Sequence, residues 1–534
     1  MIKLKLISIL FLLSSGMWAS EWQWSVQVKS LVSSETNDYP RAFLWVPTGC
    51  RQLKAVVVGN HNMLEEGIFE HSIFRKEMSR LNVGIVWITP GLGPEWDVDK
   101  TSGWYQRILD QLAAVSGYDE LGKVPVIPVG HSAYATFPWS FAAWNPDKTL
   151  AVISLKGDAP RTPLTGYGRK NTDWGQRTIH GIPALMVMSE YEWWEDRITP
   201  ALKFIENHPE ACISFLADVE RGHFDVSESL IRYLCLFITK AVKYRITNKD
   251  VALKSLDPRK GWLAERWWPA CTTRNIPASW ESYAGDKSQA FWYFDREMAE
   301  ATETYYLQSR GREPGRFLGF KVKGQLVDYK PASHDNFRLP FVPEPDGITF
   351  KVRAVQTDSS RNVRIVDGQE PLLERICGPV KQLDDTTFQL SFYRMGTKNG
   401  KRSGEIWLLA SLPGTKRRKG VVQQARMVIP VGNTLGKPQT IIFDSLPDCS
   451  EQVRRISLMA RSDHQLPVSF YVLEGPAYIE ANRLHITKIP PRTAFPVKVT
   501  VVAWQYGNAA DSIRSAHEVT RSFYIHKVQN NANK

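Results

Sequence analysis

The sequence predicts a multidomain chain: a mostly parallel α/β domain first, then a helical connector, then two all-β sandwich modules. Three observations lead there. From Ala42 to about Ile246, short β-branched apolar runs alternate with amphipathic stretches; from about Lys249 to Arg312, tryptophans and helical spacing take over; from about Arg316 onward, period-two runs are bounded by Gly, Pro and Asn. A chain of 534 residues is too long for one ordinary core. Its 43 % hydrophobic and 23 % charged residues, with 35 Gly and 32 Pro, exclude a disordered, collagen-like or coiled-coil chain. The expected division is a leader over 1–20, an α/β domain over 21–248, a Trp-rich connector over 249–315, and β modules over 316–432 and 433–534.

In the first domain the strand candidates are AFLWV, Ala55–Gly59, Val83–Ile88, Val124–Val129, Leu150–Leu155, Ala184–Met188 and Ala211–Leu216. Helical stretches such as Phe69–Leu81, Trp104–Gly117 and Thr199–Asn207 separate them. Continuous β-branched runs between helices fit a sheet covered on both faces. The connector carries Trp262, Trp267, Trp268, Trp280 and Trp292. Their aromatic area either packs on the first domain or walls a sugar cleft. In the last two modules FLGFKVKGQLVDY, GITFKVRAV, GEIWLLASL and FPVKVTVVAWQY alternate as half-buried strands do.

Lys3 and Lys5 precede the apolar run Leu6–Leu13, and small and mixed residues lead to Glu21. This is the pattern of a secretory leader, too short to span a bilayer as a mature helix. No later segment has the apolar length of a transmembrane helix, so the expected protein is exported, to the periplasm or beyond the cell. The six cysteines, Cys50, Cys212, Cys235, Cys271, Cys377 and Cys449, lie far apart without a zinc-type pairing, so no structural metal is expected. Cys235 falls on an apolar helical face and reads as a buried thiol, while an oxidising compartment allows one disulfide among the others. The net charge of +12 is spread along the chain and favours acidic partners only weakly. Lys416-Arg417-Arg418-Lys419 and the nearby Lys398, Lys401 and Arg402 read as solvated hairpin tips or as contacts for an acidic polysaccharide. No nucleic-acid reader module is present, and nothing in the sequence sets an oligomeric state.

The sharpest chemical signal is VPVIPVGHSAYATFPWSFAAW, where a buried strand runs into Gly130-His131-Ser132-Ala133-Tyr134 and then a helix. A serine on so tight a turn is thrust out of the sheet, where a base can reach its hydroxyl and backbone N–H groups can face an oxyanion. Ser132 is the expected nucleophile. It needs an imidazole, and the imidazole needs an acid to fix its tautomer. Of His61, His71, His131, His180, His208 and His223, the last follows the final strand candidate in FLADVERGHFDVS, where a base swings back over the strand ends. The acid is sought after the preceding strand, in VMSEYEWWEDR, among Glu190, Glu192, Glu195 and Asp196; Glu192 is preferred and Glu190 is second.

The order Ser132…Glu192…His223 resembles the α/β-hydrolase superfamily over about residues 40–246, chiefly in GHSAY and GHF. That resemblance implies an oxyanion hole made by the N–H groups of Ala133 and of Met63, the latter in VVVGNHNML. Tyr134 and Asn62 stand where the superfamily usually has glycine. The short span from Ser132 to Glu192 leaves room for no large lid, so an open cleft is expected. Export, 19 Trp and trailing β modules resemble secreted bacterial carbohydrate esterases, which implies hydrolysis of acetyl or similar esters on a polysaccharide or oligosaccharide through an acyl-enzyme, without cofactor or metal. Two other readings stay open from the residues alone: a catalytically inactive glycan-binding or scaffold protein, and a serine exopeptidase.

Overall fold

The computed structural model describes residues 21–528 apart from 30, 34–37, 94, 163–169, 248–251, 270, 272–273, 333, 365–367 and 398–402. The leader pattern of Met1–Ser20 and the basic residues Lys398, Lys401 and Arg402 lie outside the described residues.

The first domain is built on β1 (Trp24–Gln27), β2 (Arg41–Trp45), β3 (Ala55–Asn60), β4 (Val83–Thr89), β5 (Val126–His131), β6 (Val152–Leu155), β7 (Pro183–Ser189) and β8 (Cys212–Asp218). They form one sheet in the order β1-β2-β4-β3-β5-β6-β7-β8. β2 runs antiparallel to both neighbours, and every pairing from β4 across to β8 is parallel. This is the α/β-hydrolase layout. The helices are α1 (Glu65–Glu70), α2 (Ser72–Leu81), α3 (Thr101–Ser116), α4 (Thr136–Trp144), α5 (Glu195–Asn207) and α6 (Glu228–Arg245).

The uniformly apolar strand sequences follow from two-sided burial. Alternate residues of β3 enter different cores: Val57 packs with Phe74 and Met78 of α2 and Ile231 and Leu234 of α6, whereas Val56 and Val58 pack with Leu109 and Leu112 of α3.

The connector combines α7 (Arg296–Leu307) with a three-stranded antiparallel sheet, β9 (Trp262–Glu265), β10 (Ala278–Ser279) and β11 (Ala290–Tyr293). Of the helical spacing expected between Lys249 and Arg312, the helix itself begins only at Arg296. Asp295 caps it by accepting from the Met298 N–H at 3.1 Å, while the preceding aromatic residues pair as strand. Trp267 and Trp292 are buried in the core of the first domain, with Trp262 and Trp280 packed against it. The connector also seals β8, an edge strand. The Tyr293 hydroxyl donates to the Phe215 carbonyl at 2.6 Å, and the Tyr306 hydroxyl accepts from the Ala217 N–H at 3.1 Å.

Beyond Arg316 the chain is β-structure. In the first module the strands Glu405–Leu412 and Val421–Val428 pair antiparallel along their full length, flanked by Arg338–Leu339 and Leu372–Cys377. The second module is organised around the antiparallel pair Val497–Trp504 and Val519–His526. The two modules share packing, since Tyr471, Val502, Trp504 and Tyr506 enter the core of the first. Among the described residues, no helix is long and apolar enough to cross a membrane. Cys50, Cys212, Cys235 and Cys449 are free thiols, with Cys235 buried on α6.

Candidate active site

β5 ends at His131, and Ser132 opens a single 3-10 turn before α4. Its φ of 53° is a left-handed value that a residue with a side chain adopts at a cost. Gly130 makes the turn possible: a Cβ there would stand 2.0 Å from the Tyr134 carbonyl oxygen. Tyr134, in place of the usual small residue, turns its ring away beneath the loop after β4. Its hydroxyl accepts from the Gly93 N–H at 3.2 Å and lies where a Cβ on Gly91 would be, 2.2 Å away.

The structure brings Ser132, His223 and Glu192 together. His223 Nε2 stands 2.8 Å from Ser132 Oγ, and His223 Nδ1 stands 2.8 Å from Glu192 Oε2. His223 lies in the loop after β8, and that loop is held from below. The Lys156 Nζ, fully buried at the end of β6, donates to the carbonyls of Gly222 (2.7 Å) and Asp225 (2.6 Å) and pairs with Asp218 at 3.1 Å. Ser189 Oγ donates to the Gly222 carbonyl at 2.8 Å. His131, wholly buried, places Nε2 3.0 Å from the His223 carbonyl, so that nitrogen carries the proton and the ring serves as a backbone anchor.

Glu190 turns elsewhere. It accepts from the Glu220 N–H at 2.8 Å and pairs with Lys419 of the first β module, which places it in a domain contact rather than at His223. Lys419 is thus docked, so the basic run it closes is only partly solvated. Glu195 and Asp196 start α5, and Glu195 pairs with Arg266 at 2.6 Å. His71 caps α2, and His180 lies 3.4 Å from His208.

The expectation that the Met63 N–H faces an oxyanion requires correction. That amide donates to Glu65 Oε2 at 3.1 Å, the Asn62 amide donates to the same oxygen at 3.2 Å, and the His131 amide donates to Oε1 at 2.8 Å. Glu65 is completely buried and stitches the turn after β3 to the nucleophile strand. Burial raises its carboxyl to about 7 against the pull of those amides. Ala133 follows Ser132 within the same 3-10 turn.

One residue of the site carried no sequence signal. His334, in a loop of the first β module, places Nδ1 3.4 Å from Glu192 Oε1, and its ring lies flat on that of His223, with centroids 4.4 Å apart and planes at 14°. Burial would raise the Glu192 carboxyl, but the His223 and His334 imidazoles more than offset it and hold it at about 2. Burial pushes His223 down to about 4, although Glu192 pulls it upward. At neutral pH the site therefore holds a carboxylate and a neutral imidazole, as a general base requires. Glu192, His223 and His334 each offer a ligand atom, all within 4.8 Å of one another. Oxygen and nitrogen ligands on a tetrahedral zinc stand roughly 3.3 Å apart. The 2.8 Å between His223 Nδ1 and Glu192 Oε2 suits a shared proton better than an intervening ion.

No protein-family model matches the chain, and no curated protein does. Among solved structures, the chain is similar to a poly(3-hydroxybutyrate) depolymerase from Bordetella parapertussis, at 12 % identity, over 43 % of this chain and 92 % of that one, with a TM-score of 0.32. It is also similar to an α/β serine hydrolase without a lid from Xanthomonas campestris, at 12 % identity, 42 % and 94 % coverage and a TM-score of 0.28. A siderophore hydrolase from Aspergillus nidulans gives 11 %, 41 % and 95 %, and 0.30. The strand order and the turn at Ser132 carry the fold assignment.

Proposed function

We propose that the chain is a serine hydrolase of carboxylic esters. The observation that carries this reading is one imidazole with a serine hydroxyl 2.8 Å from one ring nitrogen and a carboxylate 2.8 Å from the other. His223 Nε2 takes the Ser132 proton as Oγ attacks the acyl carbon, while Glu192 holds the Nδ1 proton in place and stabilises the imidazolium. The Ala133 N–H faces the developing oxyanion. His223 then returns the proton to the departing alcohol oxygen, leaving an acyl group on Ser132. Water, deprotonated by the same nitrogen, attacks that ester; collapse releases the carboxylic acid and restores the serine.

The substrate in this reading is an acetyl or similar ester on a polysaccharide or oligosaccharide. Trp194, 36 % exposed, supports it: the indole lies 6.2 Å from His223 and is backed by Arg197, whose guanidinium is 3.8 Å from the ring centroid, as a stacking platform for a sugar would be. The leader pattern of Met1–Ser20 supports an exported enzyme.

The test compares wild type with Ser132→Ala on a chromogenic acetyl ester and on aminoacyl anilides. Ester turnover lowered by a factor on the order of 10⁴ or more in Ser132→Ala is the expected result. Selective anilide cleavage would replace esterase by exopeptidase. Absence of turnover, with the protein still retarded in a polysaccharide gel, would replace it by a binding role.

A further inference from the structure

The triad is contained in the first domain, yet its acid is shared with a residue outside that domain. His334 faces the Glu192 oxygen that His223 does not use, at 3.4 Å, and is stacked on the His223 ring. Phe224 lies 5.2 Å from the His334 ring and 4.8 Å from Trp407, another residue of the same module; Trp194 lies 6.4 Å from His334. The His334 backbone is fixed in turn by Gln424, whose Nε2 donates to its carbonyl at 3.0 Å. A surface histidine packed merely to fill space has no reason to present a ring nitrogen to the one carboxylate that orients a catalytic imidazole.

We propose that His334 is a positioning residue of the triad, and that the first β module is part of the catalytic unit. A carboxylate on a short turn can rotate about its last bond. With His334 Nδ1 3.4 Å from Oε1, the plane of the Glu192 carboxylate is set so that Oε2 meets His223 Nδ1, and the stacked ring blocks His223 from tilting off Ser132. This deepens the acyl-transfer reading above and rests on it.

The test uses the full-length protein, a fluorophosphonate that phosphonylates an activated serine, and p-nitrophenyl acetate. Mapping the phosphonylated peptide of the wild type tests the reading itself; if Ser132 is not labelled, acyl transfer and this proposal fall together. With Ser132 labelled, His334→Leu is expected to lower both kcat and the labelling rate roughly ten- to a hundredfold with KM unchanged, as loss of a group that orients a site residue does. His334→Asn, whose side-chain N–H can take the place of Nδ1–H, is expected to recover most of that loss. Labelling of His334→Leu at the wild-type rate would overturn the proposal while leaving the hydrolase reading intact. Equal losses in Leu and Asn variants, tracking a lowered Tm, would also overturn it by reducing His334 to packing.

Discussion

The first β module presses buried charge onto the first domain and carries His334 to the triad, whereas the second touches that domain at the end of α3 and along β1 and β2, where Glu474 accepts from Ser25 Oγ at 2.5 Å and lies 3.6 Å from Arg41. In the first contact Arg375 pairs with Glu66 at 3.3 Å, the Tyr393 hydroxyl donates to Glu66 at 3.4 Å, Arg394 pairs with Glu70, and Gly420 donates its N–H to Glu220 at 2.8 Å. In the second, Arg492 reaches Glu120 at 2.9 Å, Ala494 N–H donates to the Ser116 carbonyl at 3.0 Å, and Gly475 N–H donates to the Trp22 carbonyl at 3.0 Å. A buried pair leaves an uncompensated charge when one partner is lost, while an exposed pair is replaced by water. Both contacts bury a carboxylate, Glu66 in one and Glu474 in the other, but only the first module carries a residue, His334, to the triad, so its contact is the one whose loss should reach catalysis, and the distant contact acts as a brace.

The larger effect is expected at Arg375. Its side chain and that of Glu66 are only 9 % and 4 % exposed, so Arg375→Met should cost about 3–5 kcal/mol, read in a denaturant melt, and should lower kcat as His334 loses its seat. Full activity in a destabilised Arg375→Met would separate docking of the first module from catalysis.

The smaller effect is expected at Arg492, whose side chain is 38 % exposed. Arg492→Ala should cost about 0–1 kcal/mol and leave ester turnover unchanged. A loss of turnover there would make the second module as much a part of the site as the first.

How much of this was legible in the sequence depends on whether the signal is local. Strands buried on both faces betray themselves as apolar runs, so Val83–Ile88 was readable and is observed as Val83–Thr89. The sharp turn at Ser132 needs glycine at Gly130, and that too is local. Glu190 and Glu192 stand on one turn with similar neighbours; only tertiary partners, Lys419 for one and two histidines for the other, tell them apart. The Met63 amide could not be anticipated, because its acceptor, Glu65, is a carboxylate whose complete burial is a tertiary fact with no local signal. The short strands of the connector were hidden by tryptophans whose spacing also suits a helix. His334 was silent, since its loop has no periodicity and its partners belong to another domain.

The most direct test of the central claim, that His223 under the first β module activates Ser132, is the rate of acetyl transfer from p-nitrophenyl acetate, read by quenched-flow mass spectrometry of the Ser132 peptide from acid to neutral pH. A base must be unprotonated to act, and the His223 imidazole is held down to about 4 instead of the ordinary 6.5. Acetyl should form on Ser132 at a rate that climbs with pH through about 4 and is level at neutrality, and transfer should be lost in His223→Ala. Acetyl absent from Ser132, or transfer indifferent to His223→Ala, would contradict it.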